Sequence, residues 1–259
     1  MTRIVVACLD MAGTTVRDDG TVMEAFSAAI AAQNLQVAAY NQAMRDVRSS
    51  MGQSKIEVFR RILGDEHAAQ RANEAFEHHY EAAVRAGQVE AMPGASEVFE
   101  ACRGAGIRVC LTTGFSPATR DAVIEELGWS ELIDLALSPA DAGRGRPWPD
   151  LPLTALLRLR GGRVSELAVV GDTASDVESG LRAGAAVVAG VLTGADSRAD
   201  LEQAGAPLIL DTIAGIVPHV IEQPAMLPPG ATSTGSGGEG HRDRCARGSA
   251  APSVLGLSI

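Results

Sequence analysis

Short apolar runs and amphipathic helical stretches alternate along most of this 259-residue chain. The apolar runs are rich in Val, Leu, Ile and Ala, as expected of strands buried on both faces of a sheet. They are Arg3–Leu9, Ile107–Leu111, Ile133–Leu137, Leu167–Val170, Ala186–Val191 and Leu208–Leu210. Helical periodicity occupies much of the chain between them, at Ala95–Arg103, Pro117–Leu127, Leu151–Leu159 and Ser175–Arg182. This alternation predicts an α/β fold with a doubly wound parallel sheet.

One long stretch, from residue 19 to residue 88, interrupts the alternation. It contains no strand candidate, and its apolar residues recur at helical spacing, as in Met23, Phe26 and Ile30. We therefore predict an all-helical cap at 19–88, inserted into a core formed by residues 1–18 and 89–222. Ligands of open α/β sheets bind at the carboxyl ends of the strands, so the cap is expected to cover that edge.

Composition separates the last segment from the rest of the chain. Residues 223–259 are rich in Gly, Ser and Pro and lack the apolar residues that a core needs, which predicts a disordered, low-complexity tail. Elsewhere the high apolar content, 46% of the whole chain, is sufficient for a sizeable core.

Charge and residue content exclude several classes of function. The formal net charge of −10 argues against a nucleic-acid partner. No apolar run approaches the roughly 18 residues of a membrane span, so no membrane partner is expected. The four cysteines form no CxxC pair. Together these features favour a reducing, cytoplasmic location.

Four segments that contain polar residues lie where predicted strands end. They are Asp10–Thr15, Leu111–Gly114, Gly145–Asp150 and Gly171–Asp176. In a parallel sheet such ends converge on one crevice. The crevice would hold three carboxylates, a hydroxyl and a guanidinium, from Asp10, Asp172, Asp176, Thr112 and Arg146. This set suits a phosphoryl group beside a hard cation such as Mg²⁺.

Each of these residues has an ordinary structural interpretation when taken alone. An Asp after a strand often stabilises a turn, and Asp176 is well placed to cap a helix. Asp172, which lies nearer its strand, is the better metal ligand. It is the combination of a hydrophobic strand, D-x-x-G-T-T and a distant G-D-x-x-x-D that favours catalysis.

The four segments resemble the four motifs of the haloacid dehalogenase superfamily in order, spacing and residue type, over about residues 3–222. The resemblance implies a Rossmann-like core in which Asp10 is the nucleophile and forms an aspartyl-phosphate. It also implies Mg²⁺ held by Asp10, the Ala12 carbonyl and Asp172. The remaining roles would be phosphate binding by Thr112 and Arg146, with support from Thr14, Thr113, Gly114 and Asp176.

Ala12 departs from the common pattern of this superfamily. Most of its phosphatases have a second Asp at this place, which protonates the leaving oxygen and then activates water. Alanine does neither. Either the enzyme is impaired, or its leaving group needs no such acid.

The string DMAGTTV resembles the phosphonoacetaldehyde hydrolases, or phosphonatases, which also have Ala at this place. Their cap supplies a lysine in an M-G-x-x-K segment, and this chain has Met51–Lys55. In that family the lysine forms a Schiff base with the aldehyde, so that carbon leaves phosphorus as an enamine. The family commonly has a histidine three residues after the lysine, where this chain has Val58.

These features lead to a principal hypothesis and two alternatives. The first is a hydrolase of the carbon–phosphorus bond of phosphonoacetaldehyde or a close analogue, acting in phosphonate catabolism, with Lys55 brought over Asp10 by closure of the cap. The second is a phosphatase or phosphomutase-like enzyme that acts on a small phosphate ester. The third is a non-catalytic regulatory protein that binds ligand on the same scaffold. The resemblance also implies a homodimer formed through the caps.

Overall fold

A single parallel sheet of six strands forms the centre of the protein, for which a computed structural model describes residues 3–221. The strands are β1 (Val6–Asp10), β2 (Arg108–Thr112), β3 (Leu135–Leu137), β4 (Leu167–Gly171), β5 (Val187–Val191) and β6 (Leu208–Leu210). Their order across the sheet is β3-β2-β1-β4-β5-β6, and every pairing is parallel. The predicted α/β, doubly wound, Rossmann-like class is confirmed.

Helices follow the strands and cover the sheet. In the part of the chain that the structure describes, the helices after the long insertion are α5 (Ala95–Gly104), α6 (Pro117–Glu126), α7 (Pro139–Ala142), α8 (Asp150–Arg158), α9 (Ala174–Ala183), α10 (Arg198–Gln203) and α11 (Val217–Val220). Helix α6 begins as its sequence predicts. Ser116 accepts a hydrogen bond from the Thr119 amide at 3.2 Å, and Pro117 occupies the first helical position.

The first strand differs from its predicted bounds of Arg3–Leu9. It begins at Val6 and continues to Asp10, because the two-sided parallel pairing starts only where β2 and β4 run alongside it. Arg3 is exposed and lies before the paired region. The consequence for the site is that Asp10 is itself the last strand residue, directly opposite Thr112 of β2.

Four helices occupy the stretch between β1 and α5. They are α1 (Thr21–Ala31), α2 (Val37–Arg48), α3 (Lys55–Leu63) and α4 (Glu66–Arg85). We call this group the helical insertion. No strand lies within these described residues, in line with the periodicity of the sequence. The predicted tail at 223–259, and residue 222 of the predicted core, lie outside the residues that the structure describes.

Most of the chain's few aromatic rings meet where the helical insertion faces the sheet. Phe26 and Phe76 have ring centroids 4.7 Å apart, and Tyr80 lies 4.5 Å from Phe115, which follows β2. Phe59 completes the cluster, 5.2 Å from Phe26. Because Phe115 belongs to the core and the other four rings to the insertion, the cluster joins the two parts above the carboxyl ends of β1 and β2.

Among the residues described, none of the helices is both long enough and apolar enough to cross a membrane.

Phe59→Ala should reduce the free energy of unfolding by about 3–5 kcal/mol, because it empties a fully buried ring position in this cluster. Val37→Ala is the control within the same insertion, since Val37 is 76% exposed, and it should change stability by less than about 0.5 kcal/mol. Urea unfolding measures both. A loss below about 1 kcal/mol for Phe59→Ala would show that the ring cluster does not stabilise the insertion.

Candidate active site

Asp10 lies buried at the carboxyl end of the central strand β1, and the turn after it is held by a dense set of hydrogen bonds. The Met11 carbonyl accepts from the amides of Thr14, Thr15 and Val16 at 3.1, 2.9 and 2.7 Å. The Thr15 hydroxyl donates to the Asp10 carbonyl at 2.7 Å. The turn therefore keeps the backbone beneath the Asp10 carboxylate rigid.

Asp172 comes directly after β4, beside β1, and its two oxygens are both engaged. Oδ1 accepts from the Thr14 hydroxyl at 3.2 Å, and Oδ2 accepts from the Ala195 amide at 2.7 Å. The backbones at Gly13 and Gly194 pass so close that a Cβ on either would collide with this carboxylate. The absence of side chains at these two glycines thus lets the loops close around Asp172.

Asp176 and Arg146 complete a buried charge cluster. Asp176 forms a capping box with Thr173 at the start of α9, as its position in the sequence predicts. Nη1 of Arg146 also donates to Oδ1 of Asp10 and to Oδ1 of Asp176. Nε of Arg146 is the one buried side-chain polar atom of the described residues without a hydrogen-bond partner.

The three carboxylates lie close enough to share one cation. Asp10, Asp172 and Asp176 each offer an oxygen within 4.8 Å of the others. Burial raises the pKa of Asp10 to about 6, although the Arg146 charge opposes the shift. Burial and the other two carboxylates raise the pKa of Asp172 well above its usual value. Arg146 supplies only one positive charge to this cluster, so a divalent cation with oxygen ligands, such as Mg²⁺, fits the donor set.

A cavity of about 20 Å³ lies over these carboxylates, between the sheet and the helical insertion. Its walls come from both parts: Asp10, Ala12, Asp18, Val22, Met51, Gly52, Lys55, Thr113, Gly114, Phe115, Arg146, Asp172 and Thr173. This volume is close to that of a single water site, for which roughly 10–15 Å³ suffices. The insertion therefore lies close over the site and leaves room for little more than one water molecule.

The segment Met51–Lys55 of the insertion is seated directly on the core. The Lys55 amide donates to the Gly114 carbonyl at 3.2 Å. A Cβ at Gly114 would collide with the Gln53 carbonyl, and a Cβ at Gly52, where φ is +79°, would collide with the Thr173 hydroxyl. Two glycines on opposite sides of the contact thus allow the backbone approach that places Lys55 over the site.

Lys55 is the only lysine of the chain, in which all other basic side chains apart from histidine are arginine. Its side chain is buried, with Nζ at 5.6, 6.0 and 5.2 Å from the ring centroids of Phe26, Phe76 and Phe115. Burial, together with repulsion from Arg146, lowers the pKa of this amine to about 8. Arginine does not deprotonate at neutral pH, so Lys55 is the one side-chain amine available as a nucleophile.

The structure brings most of the expected site residues together. The residues Asp10, Ala12, Lys55, Thr113, Gly114, Arg146 and Asp172 all line the cavity. Thr14 donates to Asp172, and Asp176 accepts from Arg146. Thr112 does not line the cavity, and the adjacent Thr113 does. The sequence suggested phosphate binding by Thr112 with support from Thr113; Thr112 is the last residue of β2, and Thr113, the next residue, forms part of the cavity wall.

Two features of the site escaped sequence reasoning. One is Asp18, which lines the cavity although it belongs to none of the four motifs. The other is that Lys55 is the sole lysine, a signal that a residue count would have revealed. Val58, at the family's usual histidine position, is fully buried, while His67, His78 and His79 of the insertion are all exposed.

Comparison with known proteins agrees with this geometry. Residues 4–184 match the haloacid dehalogenase-like hydrolase family. A phosphonoacetaldehyde hydrolase-like protein of Syntrophobacter fumaroxidans is 32% identical over 106 residues, which make up 40% of this chain and 38% of that protein. This chain thus matches less than half the length of that relative. The probable phosphatase IndB of Dickeya dadantii is 26% identical over 80% of this chain and 90% of its own length.

A solved structure extends the comparison to the whole fold. The crystal structure of a phosphonoacetaldehyde hydrolase-like protein from Oleispira antarctica aligns with a TM-score of 0.72 at 26% identity, covering 85% of this chain and 94% of the other. The family match and the buried strand-end carboxylates together show that the chain belongs to the haloacid dehalogenase-like hydrolases. Several of the relatives and solved structures that it resembles are named phosphonoacetaldehyde hydrolases or phosphonoacetaldehyde hydrolase-like proteins.

Gly52→Ala should loosen the contact between the segment Met51–Lys55 and the core, because the new Cβ collides with Thr173. We expect hydrogen exchange of the Lys55 amide, which is bonded to Gly114, to accelerate more than tenfold. Gly64→Ala is the matched control: its φ is +65°, but nothing lies within 4 Å of the added Cβ. Both variants carry about 1–2 kcal/mol of backbone strain, so equal exchange rates in the two would refute the role of the contact.

Proposed function

We propose that this protein is a Mg²⁺-dependent hydrolase that cleaves the carbon–phosphorus bond of phosphonoacetaldehyde, or of a close carbonyl phosphonate, to an aldehyde and phosphate. The observation that carries the proposal is that the only lysine of the chain faces the same cavity as Asp10, where position 12 is alanine. A Schiff base on Lys55 activates the leaving carbon, and this removes the need for an acid at position 12.

Mg²⁺ would be held by Asp10, Asp172 and the Ala12 carbonyl, with Asp176 behind them. When bound, the ion neutralises charge on the phosphonate and on the attacking carboxylate. Thr113 and Arg146 line the same cavity and would bind the phosphonate oxygens. In this assignment Thr113 takes the role that the sequence alone suggested for Thr112.

The first step is addition of the neutral Lys55 amine to the substrate aldehyde. A pKa of about 8 leaves about one amine in ten unprotonated at pH 7, compared with about one in three thousand at the usual 10.5. The gain comes mainly from burial among the three phenyl rings. Loss of water from the adduct, with uptake of one proton from solution, then gives a protonated imine, which is an electron sink next to the carbon bonded to phosphorus.

The second step is attack of the Asp10 carboxylate on phosphorus. An oxygen–phosphorus bond forms, the carbon–phosphorus bond breaks, and its electron pair moves into the imine to give an enamine. The enamine takes a proton at carbon, so no departing alkoxide has to be protonated. Hydrolysis of the aspartyl-phosphate and of the resulting imine then returns Asp10 and Lys55.

Borohydride added with phosphonoacetaldehyde should attach one substrate-derived carbon fragment to Lys55, identified by peptide mass spectrometry. Because only the unprotonated amine adds to the aldehyde, the trapping rate should rise about tenfold per pH unit below pH 8 and level off above it. Lys55→Arg leaves the chain without a lysine side chain and should abolish trapping. Unchanged turnover in Lys55→Arg would exclude the Schiff-base mechanism.

A phosphatase acting on a small phosphate ester is the second candidate, favoured by the similarity to the phosphatase IndB over most of both chains. Ala12 counts against it, since an ester oxygen leaves more readily when an acid protonates it. The two candidates share Asp10 as nucleophile and differ in their need for Lys55.

Phosphonoacetaldehyde should be turned over with a kcat/KM at least 10²-fold higher than p-nitrophenyl phosphate or sugar phosphates, because only an aldehyde can use Lys55. Phosphate release measured for each compound gives the ratio. A higher value for an ester would identify the protein as a phosphatase. Asp10→Asn should abolish turnover of every substrate, whereas a regulatory binding protein would keep its biological role in that variant.

A further inference from the structure

Asp18 lies on the wall of the cavity that holds Asp10 and Lys55, where the chain leaves the core and enters α1. It is half-buried, in contrast to its exposed neighbours Arg17 and Asp19. Neither the family motifs nor the proposed function gives this residue a role. Its carboxylate therefore shares a small cavity with the Lys55 amine.

One oxygen of Asp18 is fixed by the start of the helix. Oδ1 accepts from the amides of Gly20 at 3.2 Å and Val22 at 3.1 Å. Oδ2 accepts no hydrogen bond from the residues that the structure describes. The helix start therefore orients the carboxylate through Oδ1, while Oδ2 has its lone pairs free.

The other ionisable groups on the cavity wall are already engaged. Asp10 is paired with Arg146, and both oxygens of Asp172 accept hydrogen bonds. Arg146 keeps its proton at any relevant pH. Because Asp10 is the proposed nucleophile and both Asp172 oxygens accept hydrogen bonds, Asp18 is the described cavity carboxylate that we take to exchange protons with Lys55.

We propose that Asp18 is the proton-transfer residue for Schiff-base formation at Lys55, an inference that rests on the proposed function. When the neutral amine adds to the aldehyde, a carbon–nitrogen bond forms, the carbonyl π bond breaks, and Asp18 takes a proton from nitrogen and passes it to the carbonyl oxygen, which becomes a hydroxyl. When the carbinolamine collapses, the carbon–oxygen bond breaks and Asp18 passes a proton taken up from solution to the departing hydroxyl, which leaves as water. The nitrogen lone pair forms the imine, and no net proton is gained or lost by Asp18.

The charges around Lys55 support this assignment. Asp10, Asp18 and Glu77 favour its protonated form, against burial and Arg146. The Glu77 carboxylate is occupied elsewhere, since it accepts from the Ser116 amide at 3.3 Å and from the Ser116 hydroxyl at 2.6 Å. Val58, one helical turn from Lys55, has no ionisable group and therefore does not transfer protons. Of the three acids whose charge favours the protonated form of Lys55, Asp18 is thus the one that is neither the proposed nucleophile nor held by Ser116.

Asp18→Asn separates proton transfer from helix capping. The amide oxygen of asparagine still accepts from the Gly20 and Val22 amides, but the side chain neither takes up nor releases a proton near neutral pH. We expect kcat for phosphonoacetaldehyde to fall about 10²-fold or more, with the rate of borohydride-trapped adduct on Lys55 falling in parallel and KM changing less than threefold. Asp19→Asn is the matched control. Asp19 is exposed, and its ion pair is with Arg17 at the surface, so both rates should equal those of the unmodified protein.

Three results would overturn the assignment. Equal kcat and trapping rates in Asp18→Asn would do so while leaving the proposed function intact. A raised KM and a lower melting temperature at unchanged kcat would show that Asp18 only caps α1. Absence of any Lys55 adduct in the unmodified protein would remove the proposed function, and the role of Asp18 with it.

Discussion

The ion pairs that Arg146 makes with Asp10 and Asp176 are the interaction on which the site depends. Three carboxylates buried within a few ångströms of one another are costly unless positive charge and hydrogen-bond donors surround them. The guanidinium supplies the charge, and the donors come from Thr14 and the Ala195 amide. The backbone also packs closely around Asp172 at Gly13 and Gly194. A side chain at either position would collide with the Asp172 carboxylate and displace it.

The helical insertion places an amine, that of Lys55, on the wall of the cavity that also holds the buried carboxylates. The backbone amide of Lys55 donates a hydrogen bond to the Gly114 carbonyl of the core. The position of the Lys55 amine therefore depends on the contact between the insertion and the core. Two opposing effects then act on the amine. Burial and Arg146 favour the neutral form, while nearby acids and aromatic faces favour the cation. The balance leaves a pKa of about 8, which suits the amine of the proposed mechanism, since that amine both adds to a carbonyl and later carries a proton.

Particular residues show how far local pattern carries a prediction. The alternation of strands and helices predicted a single sheet with parallel pairing, because the strands of a buried parallel sheet are nearly continuous apolar runs. The same rule predicted that Asp10 and Asp172 meet, since they lie at the carboxyl ends of strands that prove to be adjacent. Thr112 and Thr113 show the limit. Thr112 ends β2 and Thr113 comes directly after it, and which of them lines the cavity depends on how the chain turns after β2 and on what the insertion packs against it.

The parallel sheet, the helical stretch after the first strand, and the convergence of acidic residues at one sheet edge could all be predicted from the amino-acid sequence. These follow from hydrophobic periodicity and from the rule that parallel strands share one carboxyl edge, which are local or topological properties. Tertiary structure alone decided that Arg146 bridges Asp10 and Asp176, that Thr113 rather than Thr112 faces the cavity, and that Asp18 stands on the same wall as Lys55. Each of these depends on close packing between segments far apart in the chain, where a single Cβ at Gly52 or Gly114 would alter the contact.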